Sequence, residues 1–274
     1  MKELIRETPE AGSWVYAYLR AAEIRVPTVE GYSVKGIQVT ALFERLKSTT
    51  NCQDWSVEEI KLWIKEHEDT RDWADRIFLA SQLKVPMYLV IWNDDLEISC
   101  LFSLCFENGK VKICSEQVFS TSKELATWLS KLKGIQVSKV FMVPGRLSSI
   151  DKRLREHEVP WPGNLDGFIY DRKTCMTKAI FEFSRTRVYP VKTHDLNKYF
   201  NEDTNRWKVL DILKNQLGVP LYIVIWSSRE EIIKVSRVDK ITDHALIYGS
   251  TEILDKDQII PYFSRCIIGK QTSH

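Results

Sequence analysis

Residues 69–98 (DTRDWADRIFLASQLKVPMYLVIWNDDLEI) recur 134 positions later as residues 203–232 (DTNRWKVLDILKNQLGVPLYIVIWSSREEI), without a gap. Fourteen of these thirty positions are identical, among them Asp69/Asp203, Trp73/Trp207, Gln82/Gln216, Pro86/Pro220, Tyr88/Tyr222 and Trp92/Trp226. Average composition gives roughly two by chance. The chain is an internal duplication, so any architecture proposed for one copy must also suit the other. A period of 134 residues is too long for a solenoid unit of roughly 20–50 residues and matches the size of a whole domain.

Shorter blocks extend the match. Residues 28–32 pair with 164–168, bringing Glu30-Gly31 against Asp166-Gly167, and Ala41-Leu42-Phe43-Glu44 pairs with Ala179-Ile180-Phe181-Glu182. Downstream, Trp128-Leu129 aligns with Tyr262-Phe263. Each copy thus spans about half of the 274 residues, and the expected division is 1–135 and 136–274.

A chain that is 44% apolar and 11% aromatic can fill two cores of this size. No apolar run approaches the roughly 18 residues that span a bilayer. The opening MKELIRETPEAGSW lacks the apolar stretch of a signal peptide. The expectation is a soluble, intracellular, cytoplasmic protein without a membrane partner. The six cysteines share no positions between the copies and form no C-x-x-C pair; buried, reduced thiols are expected rather than a disulfide framework or zinc site. The five histidines are equally scattered. Absence of G-x-G-x-x-G, P-loop and G-x-S-x-G segments argues against a nucleotide-dependent or serine-nucleophile enzyme acting on small molecules.

Within each copy, an apolar-periodic opening segment (12–24 or 147–158) predicts a helix ending before Pro27 or Pro160. Two strand-like runs follow; in the second copy they cover 165–170 and 179–183, joined by the polar turn Asp171-Arg172-Lys173-Thr174. Asp203-Thr204 then reads as the start of a helix carrying Trp207, Leu210, Leu213 and Leu217 at helical spacing and stopping at Gly218. The unbroken apolar run Leu221–Trp226 reads as a central strand buried on both faces. Two weaker strands and a last helix complete an α-β-β-α-β-β-β-α order, which predicts an α/β fold with a mixed central sheet flanked by helices.

Asp166 and Glu182 fall on neighbouring strands of this pattern. Two carboxylates so placed can converge on one hard divalent cation such as Mg²⁺ or Mn²⁺, which keeps several waters and leaves room for a phosphate oxygen. The segments Leu165-Asp166-Gly167-Phe168 and Ile180-Phe181-Glu182-Phe183-Ser184 resemble the paired acidic strands of the PD-(D/E)XK, restriction-endonuclease-like nuclease superfamily. The resemblance covers both halves and implies two tandem restriction-endonuclease-like domains, with Mg²⁺ or Mn²⁺ as the cofactor of a catalytic copy. It makes Asp166, Glu182 and Gln216 the catalytic candidates, with Asp166 and Glu182 as metal ligands. Glu30, Glu44 and Gln82 are their counterparts in the first copy. The family's lysine, two residues after the second acid, is replaced by Ser184 and by Leu46, so the resemblance speaks for the fold more than for catalysis. Lys178 and Lys198 are the candidates to supply the missing charge from elsewhere.

Charge separates the copies. Residues 1–130 carry 15 Lys/Arg and 20 Asp/Glu, whereas 131–274 carry 24 and 17. Arg172, Lys173, Lys178, Arg185, Arg187 and Lys192 cluster in sequence around Glu182, the composition expected of a phosphate-binding surface. The first copy reads as the more degenerate. One functional expectation is metal-dependent phosphodiester hydrolysis, with DNA as the partner and the fused copies standing in for a homodimer. The other is a catalytically inactive nuclease-like scaffold that clamps nucleic acid or assembles with proteins. The repeated tryptophans read as core, and both glutamines equally well satisfy backbone groups.

Overall fold

A computed structural model describes residues 2–6, 13–93, 98–108, 110–133 and 148–268. Two compact units emerge, Met1–Thr8 with Val29–Asn164, and Pro9–Thr28 with Leu165–His274. The expected boundary at 135/136 lies outside the described residues, as do residues 12 and 147, where the opening helices were expected to begin.

The first unit is built on a mixed sheet of β1 (Leu4–Ile5), β2 (Val29–Lys35), β3 (Gln38–Ser48), β4 (Met87–Trp92), β5 (Ser99–Glu107), β6 (Lys110–Phe119) and β7 (Gly163–Leu165). Their order is β6-β5-β4-β3-β2-β7, with β1 paired to β3 off this path. The second unit's sheet contains β8 (Gly167–Asp171), β9 (Met176–Arg185), β10 (Leu221–Trp226), β11 (Ile232–Ile241) and β12 (Leu246–Asp255), in the order β12-β11-β10-β9-β8. In each, a hairpin precedes a helical crossover to a parallel neighbour: α2 (Val57–His67) and α3 (Thr70–Leu83) join β3 to β4, and α6 (Thr204–Leu217) joins β9 to β10. Parallel neighbours need such a crossover, and the strands it covers are buried on both faces. That is why β4 and β10 are apolar without alternation.

The registers repeat residue by residue. Gly31 lies opposite Phe43 and Gly167 opposite Phe181. Glu44 pairs in register with Leu89 and Glu182 with Ile223. The first hairpin shifts register at Ser33/Val34 in one unit and Ile169/Tyr170 in the other, and the later one at Ser103/Leu104 and at Arg237/Val238.

Period-two alternation divides β9 between two layers. Ala179, Phe181 and Phe183 join the core under α7 (Lys256–Ile268), while Glu182 points to the other face. In the first unit Ala41 and Phe43 pack on Leu125, Ala126 and Leu129 of α4 (Ser122–Leu132). Tyr88 meets Trp128 there at a ring separation of 5.1 Å, as Tyr222 meets Tyr262 at 6.2 Å.

The opening helices exchange places relative to the halves of the sequence. Helix α1 (Ser13–Ala21) contributes Val15 and Leu19 to the second unit's core, together with Ile24 and Val26. Helix α5 (Ser149–Glu156) contributes Ile150 and Leu154 to the first, together with Val159. Apolar periodicity identifies a helix and its buried stripe, but two equivalent sheets offer that stripe equivalent sites.

One cysteine expectation is corrected. Cys105 and Cys114 are bonded across β5 and β6, with Cα atoms 6.6 Å apart. Cys114 is the extra residue of the β5–β6 bulge, a juxtaposition created by strand pairing rather than by local spacing. Cys52 and Cys100 are buried free thiols, as expected, whereas the free thiol of Cys175 is exposed and that of Cys266 half-buried.

Candidate functional site

Asp166 ends the segment before β8, and Glu182 lies in the middle of β9; both are buried. One Asp166 carboxylate oxygen accepts the Phe183 backbone N–H at 3.0 Å. Arg206, in the first turn of α6, lies between the two acids: its Nη2 is 3.4 Å from Asp166 Oδ2 and makes a closer ion pair with Glu182 Oε1. Burial alone would lower the Arg206 pKa, but Glu182 and then Asp166 raise it above the ordinary arginine value. From α1, Tyr16 donates its hydroxyl to the Asp166 carbonyl oxygen. Burial, reinforced by Asp166 and Glu182, raises its pKa well above the ordinary tyrosine value.

The first unit contains the same motif in a denser form. Glu44 Oε1 accepts the Glu30 backbone N–H at 3.1 Å. Glu44 is paired with Arg6 at 2.5 Å and Arg76 at 3.3 Å. Glu30 is paired with Arg6 at 3.5 Å and with Arg45 at 3.4 Å. Glu68 joins through Arg6 and Arg76. Burial and then Glu44 raise the Glu30 pKa, opposed by Arg45, Arg6 and Arg76. For Glu68, the upward effect of burial is outweighed by Arg6 and Arg76, which leave it below the ordinary carboxylate value. Trp161 donates its indole N–H to the Glu30 carbonyl at 3.0 Å, the counterpart of Tyr16 at Asp166.

The duplication conceals these arginines. With the 134-residue offset, Arg206 aligns with Asp72 and Arg76 with Leu210. The two aligned positions are four residues apart, one turn along the same helix face. Each copy therefore places a guanidinium beside its acids from a different position, and comparing aligned identities overlooks both.

Other candidates do not gather at the acid pair. Gln216 is exposed and ten residues beyond Arg206 on α6, about 15 Å along the helix at its standard rise. Gln82 has the matching place near the end of α3. Ser184 is half-buried and Leu46 fully buried. Lys178 pairs with Asp171 at 3.5 Å, and Lys198 Nζ lies 4.9 Å from the centre of the Tyr189 ring.

Nor do the basic candidates form a single ring around Glu182. Arg172 and Lys173 are exposed on the β8–β9 turn, whereas Arg185, Arg187 and Lys192 are exposed at and beyond the other end of β9. Ten strand residues separate those ends, roughly 30 Å at the usual rise. Arg185 stacks on Trp226 at 5.3 Å and donates to Ser228 Oγ at 2.9 Å.

As arranged, neither acid pair fits a resident Mg²⁺ or Mn²⁺. Hard cations favour oxygen donors, and in each unit the carboxylates are already charge-paired with guanidinium groups. Among the described residues, no group of three or more His, Cys, Asp or Glu side chains has a metal-holding arrangement. No described helix is long and apolar enough to cross a membrane.

No protein-family model matches the sequence, and comparison with curated proteins finds no relative. Among solved structures, the crystal structure of a sex pheromone staph-cAM373 precursor aligns over 93% of this chain and 84% of its own, with 9% identity and a TM-score of 0.16. That likeness carries no argument about fold or activity.

Proposed function

We propose that the chain is a non-cleaving nucleic-acid-binding protein built from two tandem restriction-endonuclease-like units, each using its acid pair as an internal electrostatic clasp. The observation carrying this reading is Arg206 between Asp166 and Glu182, matched by Arg6, Arg45 and Arg76 around Glu30 and Glu44. Burying two carboxylates is costly unless they are paired and hydrogen-bonded, and the arginines provide that pairing. With neither motif lysine present, the acids serve the scaffold, while binding falls to exposed basic residues of the second unit. DNA is the proposed partner.

The test is to incubate the protein with labelled DNA and RNA in Mg²⁺ or Mn²⁺, with and without EDTA, and follow both cleavage and binding. Binding without cleavage is expected, unchanged by EDTA. Metal-dependent cleavage abolished by Asp166→Ala or Glu182→Ala would replace this proposal with a hydrolase that displaces Arg206.

A further inference from the structure

The connector from β9 to α6, residues 186–203, has no regular structure until a 3-10 segment at Leu196–Glu202. It forms an aromatic and basic surface. Tyr189 and Tyr199 are 44% and 37% exposed, and their rings lie 6.0 and 6.1 Å from the ring of buried His194 between them. Lys198 Nζ lies over the Tyr189 ring at 4.9 Å. Arg187 and Lys192, two residues before and three residues after Tyr189, are exposed. The four Lys/Arg of residues 185–199 are accompanied by one acid, Asp195, and Glu202 and Asp203 follow at the α6 end of the connector.

The surface is held from beneath. Thr186 Oγ1 accepts the Tyr189 backbone N–H at 3.2 Å and donates to its carbonyl at 2.7 Å. Lys234 donates to the His194 carbonyl at 2.8 Å. Asp195 is engaged with the Asn197 backbone N–H at 3.0 Å, and Asn197 is bonded to both backbone groups of Leu246, at 2.7 and 3.0 Å. Asp195 therefore belongs to the support, while the exposed cations and the exposed parts of Tyr189 and Tyr199 remain at the surface.

We infer that this connector is a docking surface for single-stranded DNA, with bases stacking on Tyr189 and Tyr199 and phosphates meeting Arg187, Lys192 and Lys198. The inference rests on the nucleic-acid-binding reading above and adds its location and strand form. Ring faces on a positively charged track match the two elements of single-strand recognition, stacking and backbone attraction. A duplex keeps its base faces stacked inside and offers the tyrosines no equivalent partner. The first unit's equivalent stretch, residues 49–69, carries two Lys/Arg against six Asp/Glu, where residues 183–203 carry four against three, so it is the less favourable of the two for a phosphate backbone.

The experiment is fluorescence anisotropy of the full chain with a labelled oligothymidylate of about twenty nucleotides, in parallel with RNA of matched length and duplex DNA, over a salt series. Tyr189→Leu/Tyr199→Leu is expected to weaken single-stranded DNA binding about tenfold or more, with little change in salt dependence. Tyr189→Phe/Tyr199→Phe should retain most of the affinity. Lys192→Gln/Lys198→Gln should reduce the salt slope by up to about 0.7 for each phosphate no longer neutralised.

If single-stranded DNA binds wild type and the leucine variant equally, the surface is refuted while nucleic-acid binding stands. Preference for duplex or RNA also overturns it. If wild type binds no nucleic acid, both readings fall. Far-UV circular dichroism checks each variant's fold; the phenylalanine and glutamine variants keep the inference refutable should the leucine variant not fold.

Discussion

The two units share a backbone plan and differ in how they place charge. Their parallel strand pairs keep the same register, their hairpins shift at equivalent points, and each contains a buried acid at the same position in the parallel pair. Yet the second unit sets Arg206 of α6 against Asp166 and Glu182, while the first meshes Glu30, Glu44 and Glu68 with Arg6, Arg45 and Arg76. Register is dictated by many apolar side chains at once, because a one-residue slip turns every one of them to the wrong face. A buried carboxylate only needs a cation within reach, and several positions can deliver one. After duplication, the strand pattern therefore persisted while the charge partners were redistributed.

The most forceful test of the comparison addresses the exchanged helices. Leu19 and Leu154 are both fully buried, on α1 and α5. Leu19→Ala and Leu154→Ala should each cost about 3–4 kcal/mol, within the usual range for a buried leucine. Hydrogen exchange followed by mass spectrometry should show Leu19→Ala loosening β9 and β10 before β3 and β4, and Leu154→Ala doing the reverse. If each substitution loosens the sheet of its own half of the sequence, the exchange is refuted.

Arg206→Ala should cost about 2–4 kcal/mol, since removing one member of a buried ion pair leaves uncompensated charge. Arg76→Ala should cost less, because Glu44 retains Arg6. Thermal denaturation compares the two. Mn²⁺ should raise the melting temperature of the Arg206→Ala variant more than that of wild type, because removing the guanidinium exposes an acid pair to a competing cation. Equal metal responses would remove the electrostatic basis of the proposed clasp.

How much of this was legible in the sequence depends on whether the information is local. The duplication, the central strands Met87–Trp92 and Leu221–Trp226, and the helices beginning near Asp69 and Asp203 follow from identity, unbroken apolar runs and end signals. Glu44 and Glu182 stand out because the same aligned block marks them twice. Arg206 and Arg76 do not, since they reach their acids from non-equivalent positions. Gln82 and Gln216 show the converse: identity drew attention to them, but the helix carries Gln216 away from the acid pair. Which sheet receives α1 is a tertiary choice between equivalent faces, and Cys105 meets Cys114 only once the hairpin has formed.

Acid titration should sharpen the contrast through the first unit. Arg6 and Arg76 hold Glu68 below its ordinary value of 4.5 despite burial. Its contribution is present above that value and is lost as pH falls through the lower folded value, where the unfolded chain has already bound its proton. Glu30 opposes this trend because its pKa is raised, so its protonation favours the folded state at low pH. Glu68→Gln should flatten the fall in melting temperature below about pH 4.5, the ordinary value from which Glu68 is lowered. An acid limb as steep as wild type would assign that loss of stability to other groups.

The smallest expected effect comes from exchanging a residue between copies. Helix α3 ends at Lys84 with φ +59°, and α6 ends at the equivalent Gly218 with φ +68°. Both adopt the left-handed conformation, but a residue with Cβ loses roughly 1–2 kcal/mol there, whereas glycine does not. Glycine also gives the unfolded chain more freedom, offsetting roughly 0.5–1 kcal/mol of the gain. Lys84→Gly should therefore stabilise the first unit by about 0.5–1 kcal/mol, and Gly218→Ala should destabilise the second by about the same amount. Opposite shifts in local hydrogen-exchange protection at the two helix ends would show that the copies share this turn but differ in the residue chosen for it. If Lys84→Gly destabilises α3, the side chain makes a native contribution larger than the conformational cost, and the equivalence of the two turns ends at their backbone.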